Sequence, residues 1–260
     1  MVFSNADTLL ERMVTSGILE KMELPGLGLV VTTRQSAEQY RASPDLLAAH
    51  ARARLIAEQA LLASVHEWAR RLAMASFNKV TIRKGFDQPL PRMGPFAWDL
   101  TGPSYLTATA TWRNGIIKPG WFVCDTLLGR KANMDSVEPF LHKIQSITAL
   151  PRIGRAIFMF IAESYEEAAL GALRSAGAVP ATPKSLFGKD AAKAFADLIA
   201  LLEDGGLGQL DSSALEKTLE SLNSIDGLMG NMRGVLFEFV VAELIRKNSS
   251  AEVRLNKICV

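Results

Sequence analysis

Cysteine and histidine are scarce in this chain. Two cysteines, Cys124 and Cys259, stand in apolar runs among 260 residues. Two separated thiols make neither a disulfide framework nor a zinc site, so both read as small core side chains. The three histidines, His50, His66 and His142, have no metal-ligand spacing with them. No basic segment followed by an apolar run opens the chain, and no apolar run approaches the length of a membrane span. A cytoplasmic location without membrane contact is therefore expected. The formal net charge is only +2, which neither requires nor excludes a nucleic-acid partner. The glycines of PGLGL and GGLGQ lack the lysine and serine of a phosphate-binding loop. There is no nucleophile elbow and no kinase signature, and no organic cofactor is expected.

What is present is a large apolar fraction, 48%, with 22% charged residues. That suits one large or two small folded domains. The charge is uneven. Arg52, Arg54, Arg70, Arg71, Lys79, Arg83, Lys84 and Arg92 face only Glu58, Glu67 and Asp87 in the same stretch. Such a stretch suits a phosphate backbone, or equally a solvated helix face.

Periodicity divides the chain into residues 1–44, a helix and a strand; 45–203, an α/β core; and 204–260, a helical segment ending in a strand. Residues 5–23 predict an amphipathic helix closed by Pro25-Gly26, and LGLVVTT a strand. Residues 45–76 predict a long helix, with Leu55, Leu62, Val65, Ala69 and Leu72 at helical spacing. Three strands should follow, in KVTIRKGF, in PFAWDL extended through SYLTATATW, and in GWFVCDTLL. The turn signal Asn114-Gly115 makes the last two antiparallel neighbours. A helix over 135–149 precedes RAIFMFIAE, which reads as a strand buried on both faces. Ser164 and Glu167 suggest a capping box for the next helix. AVPAT, a Thr182-Pro183 cap and a helix over 189–203 complete the core. EDGGLGQLDSS reads as a linker. Helices opening at Ser213 and spanning 231–247 come next, then a last strand. The fold class expected is α/β, a mixed central sheet flanked by helices.

Two carboxylates fall where a hairpin would bring strand ends together: Asp99 in WDLTGPSYL and Asp125 in GWFVCDTLLG, 26 residues apart. Read by themselves, Asp99 suits a strand-end cap. Asp125 equally suits a structural acid on backbone or arginine. In this region the chain resembles the PD-(D/E)XK, or restriction-endonuclease-like, nuclease superfamily. There a helix precedes a three-strand meander, one strand carries an aspartate, the next an acid-x-lysine, and a helix and buried strand follow. The resemblance covers roughly residues 45–190. It implies a restriction-endonuclease-like core with extra N- and C-terminal helices, and Asp99 and Asp125 as ligands of Mg²⁺ or Mn²⁺. The expected lysine position holds Leu127. The resemblance offers Lys143, in FLHKIQ, as a substitute from the following helix, and Glu67 as the acid of the preceding one. A solvated helix face is the other reading for both. The activity implied is metal-dependent phosphodiester hydrolysis by a nucleic-acid-associated protein, with the basic stretch on the backbone.

A second, truncated copy of such a core is suggested from about residue 231, where Arg233, Gly234, Phe237 and Glu238 match an Arg-Gly-x-x-Phe-Glu pattern. It implies a piece of a longer protein; a C-terminal helix and strand closing the existing sheet is the competing reading. Two other functions stay open. One is a catalytically inactive scaffold that offers its long helix to a protein partner or to a homodimer. The other is an α/β enzyme acting on a small molecule, for which no nucleophile–base pair speaks. Trp98, Trp112 and Trp121 fall in the strand meander, where aromatic rings either stack on bases or fill a core.

Overall fold

The structure is a computed structural model, and it describes residues 6–76, 78–84, 89–113, 115–150, 153–206, 212–223, 241 and 245. The N-terminal elements are α1 (Ala6–Thr15), β1 (Leu19–Leu24), β2 (Gly28–Thr33) and α2 (Arg34–Tyr40). The helix expected over residues 5–23 is cut short. Gly17 turns the chain with φ +75°, and Leu19–Leu24 pairs antiparallel with Gly28–Thr33. A cross-strand partner outside the window, not local periodicity, decides that segment.

The long helix α3 (Pro44–Arg71) starts with proline in its first turn and ends in Arg70 and Arg71, where cations suit the dipole. Beyond it come β3 (Thr81–Ile82), β4 (Arg92–Met93), β5 (Phe96–Ala97), β6 (Leu100–Ser104), β7 (Thr111–Arg113), β8 (Ile116–Lys118) and β9 (Gly120–Ala132). The single strand expected from PFAWDL through TATATW is thus three separate pieces. Thr109 interrupts it, its hydroxyl donating to the Ser104 carbonyl at 3.2 Å. Then follow α4 (Met134–Thr148), β10 (Ala156–Tyr165), α5 (Glu167–Ser175), β11 (Val179–Ala181), α6 (Pro183–Phe187), α7 (Lys189–Gly206) and α8 (Ser212–Asn223). Ser164 does not cap α5: it lies in β10, paired with Lys131, and the cap position is Glu166. The Thr182 cap forms a reciprocal pair with Ser185. Gly205 and Gly206, expected in a linker, end α7 instead. The predicted elements over 231–247 and at the C-terminus, with Arg233, Gly234, Phe237 and Glu238, lie outside the described residues.

Among the described residues the main sheet has the order β11-β10-β9-β6-β3. The β3–β6 and β6–β9 pairs are antiparallel, and β9–β10 and β10–β11 are parallel. The fold is therefore mixed α/β. Side chains of β9 alternate between its faces. Phe122, Cys124 and Leu128 pack with α3 (Ile56, Leu61, Val65) and α7 (Phe195, Leu198). Val123 packs with α4 (Val137, Phe140, Ile144) and with Trp98. Among the described residues the apolar stripe of α3 packs against the sheet and α7. Among the described residues no helix is long and apolar enough to cross a membrane.

Candidate functional site

The site forms where β6 ends beside β9. Their register pairs Leu100 with Cys124, so one step further Asp99 stands opposite Asp125. The two are joined directly: the Asp99 backbone N–H donates to Asp125 Oδ1 at 3.0 Å. Past Cys124, β9 has no β6 partner, and its N–H groups need acceptors. Thr126, two residues on, donates its N–H and its hydroxyl to Asp99 Oδ2 at 2.8 and 2.9 Å. Leu128, two further, donates its N–H to Glu58 Oε1 of α3 at 3.1 Å. Leu128 sits in a bulge, because β9 runs from Leu127 to Lys131 while β10 advances only from Ala162 to Ser164. Gly129, with φ +76°, makes that bulge possible.

Two cations interleave with the acids. Arg83, just past β3, reaches Glu58 Oε2 at 2.8 Å with its Nη2 and Asp99 Oδ1 at 3.1 Å with its Nε. Lys143 of α4 donates to Asp125 Oδ2 at 2.6 Å and to the Ala97 carbonyl at 2.9 Å. Its ammonium also lies 4.7 Å from the centre of the Trp98 ring, a cation–π contact. The two aspartates and Lys143 face a cleft of about 270 Å³, lined also by Leu90, Trp98 and Thr126, among others.

Asp99, Asp125 and Lys143 therefore converge. Glu67 does not join them. It stands nine residues beyond Glu58 on α3, roughly 14 Å along the axis, and accepts hydrogen bonds from Arg70 and Arg71 at 2.5 and 3.1 Å. The Arg70 bond, and behind it Arg71, hold its carboxyl below 4.5. The helix acid that reaches the strand ends is Glu58, which sequence reasoning missed. The signal was there: Glu58 shares the apolar stripe of Leu55, Leu62 and Val65, whereas Glu67 does not.

The basic stretch does not act as one strip. Arg52 and Arg54 differ by about 200° around the helix, so they leave it on opposite sides. Arg52 is buried and donates to the Pro25 carbonyl at 2.5 Å, and Arg54 lies against Gly129. Arg70 and Arg71 serve Glu67, and Arg83 serves the acid cluster. Lys79, Lys84 and Arg92 are exposed, Arg92 donating to the Pro95 carbonyl.

Burial pushes the Glu58 carboxyl up from 4.5 despite the hydrogen bonds from Arg83 and Leu128. Burial likewise raises Asp125 from 3.8, opposed by the Lys143 charge and reinforced by Asp99. The folded chain thus keeps protons on these two groups at pH values where the unfolded chain has released them. Their contribution to stability falls as pH rises from 3.8 for Asp125, and from 4.5 for Glu58, to each group's folded value. It is level above that value. In urea titrations across this range, Glu58→Gln and Asp125→Asn should each flatten that fall relative to wild type. Slopes identical to wild type would contradict the assignment.

The oxygens left over decide whether a cation fits. A carboxylate oxygen accepts about two hydrogen bonds. Among the described residues Asp99 Oδ2 takes two and each Asp125 oxygen takes one, while Asp99 Oδ1 makes the ion-pair contact with Arg83. Three hard oxygens therefore keep an acceptor site among the described residues. Among the described residues no group of three or more His, Cys, Asp or Glu side chains is arranged to hold a metal. A donor set of two carboxylates suits Mg²⁺ or Mn²⁺ with waters retained better than a metal caged wholly by protein. Comparison with models of known protein families, with curated proteins and with solved structures gives no match.

Proposed function

We propose that the chain is a nucleic-acid-associated protein with a divergent PD-(D/E)XK-like nuclease core, in which Asp99 and Asp125 hold Mg²⁺ or Mn²⁺ and Lys143 takes the part of the missing strand lysine. The observation that carries this is the 2.6 Å contact of Lys143 with Asp125, made from the helix after the strand whose lysine position is Leu127. The order of elements supports it as well: a helix, an antiparallel β3–β6–β9 unit, a helix, and a buried parallel strand.

In phosphodiester hydrolysis the oxygen of water bonds to phosphorus while the bond to the leaving oxygen breaks, that oxygen keeping the electron pair and taking up a proton. When bound, the divalent cation supplies charge neutralisation and activates water. The chain's own residues do the rest. Asp99 and Asp125 present their remaining lone pairs to the cleft. Thr126 and the Asp99 N–H fix the two carboxylates in place. Lys143, held between Asp125 and the Trp98 ring, sets a positive charge where the transition state gathers negative charge. Glu58 and Arg83 orient Asp99 from behind.

The test is cleavage of single- and double-stranded substrates with and without Mg²⁺ or Mn²⁺. Divalent-dependent cleavage is expected, reduced at least about 100-fold in Asp99→Ala, Asp125→Ala and Lys143→Ala, the scale of losing one electrostatic stabiliser. Cleavage at the wild-type rate in the aspartate variants would remove the proposed site. Salt-sensitive binding without any cleavage would mark a core that binds but does not cut.

A further inference from the structure

Arg83 is tied to Asp99 twice. Strand register pairs Ile82 with Leu100, so Arg83 follows opposite Asp99, and its N–H donates to the Asp99 carbonyl at 2.7 Å. Cross-strand partners share a face, which sets the guanidinium on the side of the carboxylates. One edge of its planar fork spans two acids. Its Nε lies 3.1 Å from Asp99 Oδ1 and its Nη2 2.8 Å from Glu58 Oε2.

That position bears on which oxygens a divalent ion reaches. Thr126 fills Asp99 Oδ2 with two hydrogen bonds, so the Asp99 oxygen left for an ion is Oδ1, the one that Arg83 touches. An ion held jointly by Glu58 and Asp99 would need the space that the guanidinium fills. Glu58 is withdrawn further, because its other oxygen takes the Leu128 N–H at 3.1 Å and its side chain is 7% exposed. Asp99 and Asp125 line the cleft, whereas among the described residues Glu58 and Arg83 do not. The guanidinium stays charged under all ordinary conditions, so it does not leave its place by losing a proton. The helix acid thus stands next to the proposed metal site without being open to it.

We infer that Arg83 is a specificity-determining residue of the metal site: it withholds Glu58 from the ion and shares Asp99 Oδ1 with it, so that Asp99 and Asp125 are carboxylate ligands and Glu58 is not. This rests on the metal reading above and adds to it the residue that limits ligand set and affinity. The test is Mn²⁺ binding to the full chain without substrate, read from the electron paramagnetic resonance signal of the free ion. Wild type should bind Mn²⁺, and Asp99→Asn and Asp125→Asn should each weaken binding about tenfold or more, one ligand charge being lost. Arg83→Met should tighten it about tenfold or more, because a positive charge beside the ion goes and Glu58 is released. Thr126 still holds Asp99 in that variant. Adding Glu58→Gln to Arg83→Met should return the affinity to within about threefold of wild type, since one charge of each sign has gone and the ligands are the same. The double variant decides by itself if Arg83→Met does not fold, for it removes the buried carboxylate that Arg83→Met leaves without its cation.

A folded Arg83→Met variant that binds Mn²⁺ no more tightly than wild type overturns the inference, since Arg83 would then only orient Asp99. So does a double variant outside the stated range. Weaker binding would make Glu58 a ligand in wild type, and tighter binding would show that Glu58 is not the acid withheld. In each of these cases binding that depends on Asp99 and Asp125 leaves the metal reading intact. Wild-type binding that is absent, or indifferent to both aspartates, ends the inference and the metal reading together.

Discussion

Glu58→Ala is expected to lower the free energy of unfolding by about 3–5 kcal/mol, the range for breaking a buried ion pair by removing one partner. The Glu58 side chain is 7% exposed and does two things at once. One oxygen takes the Arg83 guanidinium, and the other takes the Leu128 N–H inside the β9 bulge. Alanine leaves Arg83 with Asp99 alone and leaves the Leu128 donor without its acceptor, an added cost of about 1–3 kcal/mol if water does not reach it. Glu58→Gln should cost less, because the amide oxygen still accepts from Leu128. Glu67→Ala is the contrast, since its pairs with Arg70 and Arg71 lie along one helix and those arginine side chains are 30% and 50% exposed. Its loss should stay within about 1 kcal/mol. Urea denaturation at neutral pH reads all three. A Glu58→Ala effect no larger than that of Glu67→Ala would show that Glu58 does not anchor the site.

Lys143→Met should also destabilise by about 3–5 kcal/mol. Asp125, its side chain 14% exposed, would be left as a buried carboxylate beside that of Asp99, without its Lys143 partner. The cation–π contact with Trp98 would be lost as well, about 0.5–2 kcal/mol by itself. Adding Asp125→Asn should return part of the loss, because the uncompensated charge is then gone. A double-mutant cycle should give a coupling of about 0.5–3 kcal/mol. Additive single effects would mean that the 2.6 Å contact carries no energy of its own. The same cycle bears on activity. A lysine needed only for stability would be replaceable once Asp125 is neutral, whereas one acting on the phosphate would not.

Elements whose patterns are satisfied locally were legible. The core helices carry apolar stripes and end signals: proline at the start of α3, Thr182 capping α6, and Val137, Phe140 and Ile144 in line on α4. The buried β10 is a continuous apolar run, because both its faces are covered. Segments whose state depends on a distant partner were not legible. Leu19–Leu24 reads as helix until its partner β2 is known, and Ser164 reads as a cap until Lys131 is seen beside it.

The same division runs through the candidate site. Two aspartates at strand ends, a turn between their strands and a lysine on the next helix are all visible in one dimension. The choice between two glutamates on α3 is not, because it depends on which face of a 28-residue helix meets the sheet and where along it. Nor is the fate of the arginines. Arg83 was counted toward a phosphate surface, but it lies between two carboxylates that only folding brings within 4 Å of it.

By itself, then, the sequence determined the α/β class, the main helices, the buried strand and the pairing of the aspartate-bearing strands, because periodicity and turn chemistry are local. Tertiary structure alone decided that Glu58 rather than Glu67 closes the cluster, that Arg83 is spent within it, and that Trp112 rather than Trp98 faces water. Each of those depends on three-dimensional neighbours far apart in the chain, and burial is a property of neighbours, not of residue types.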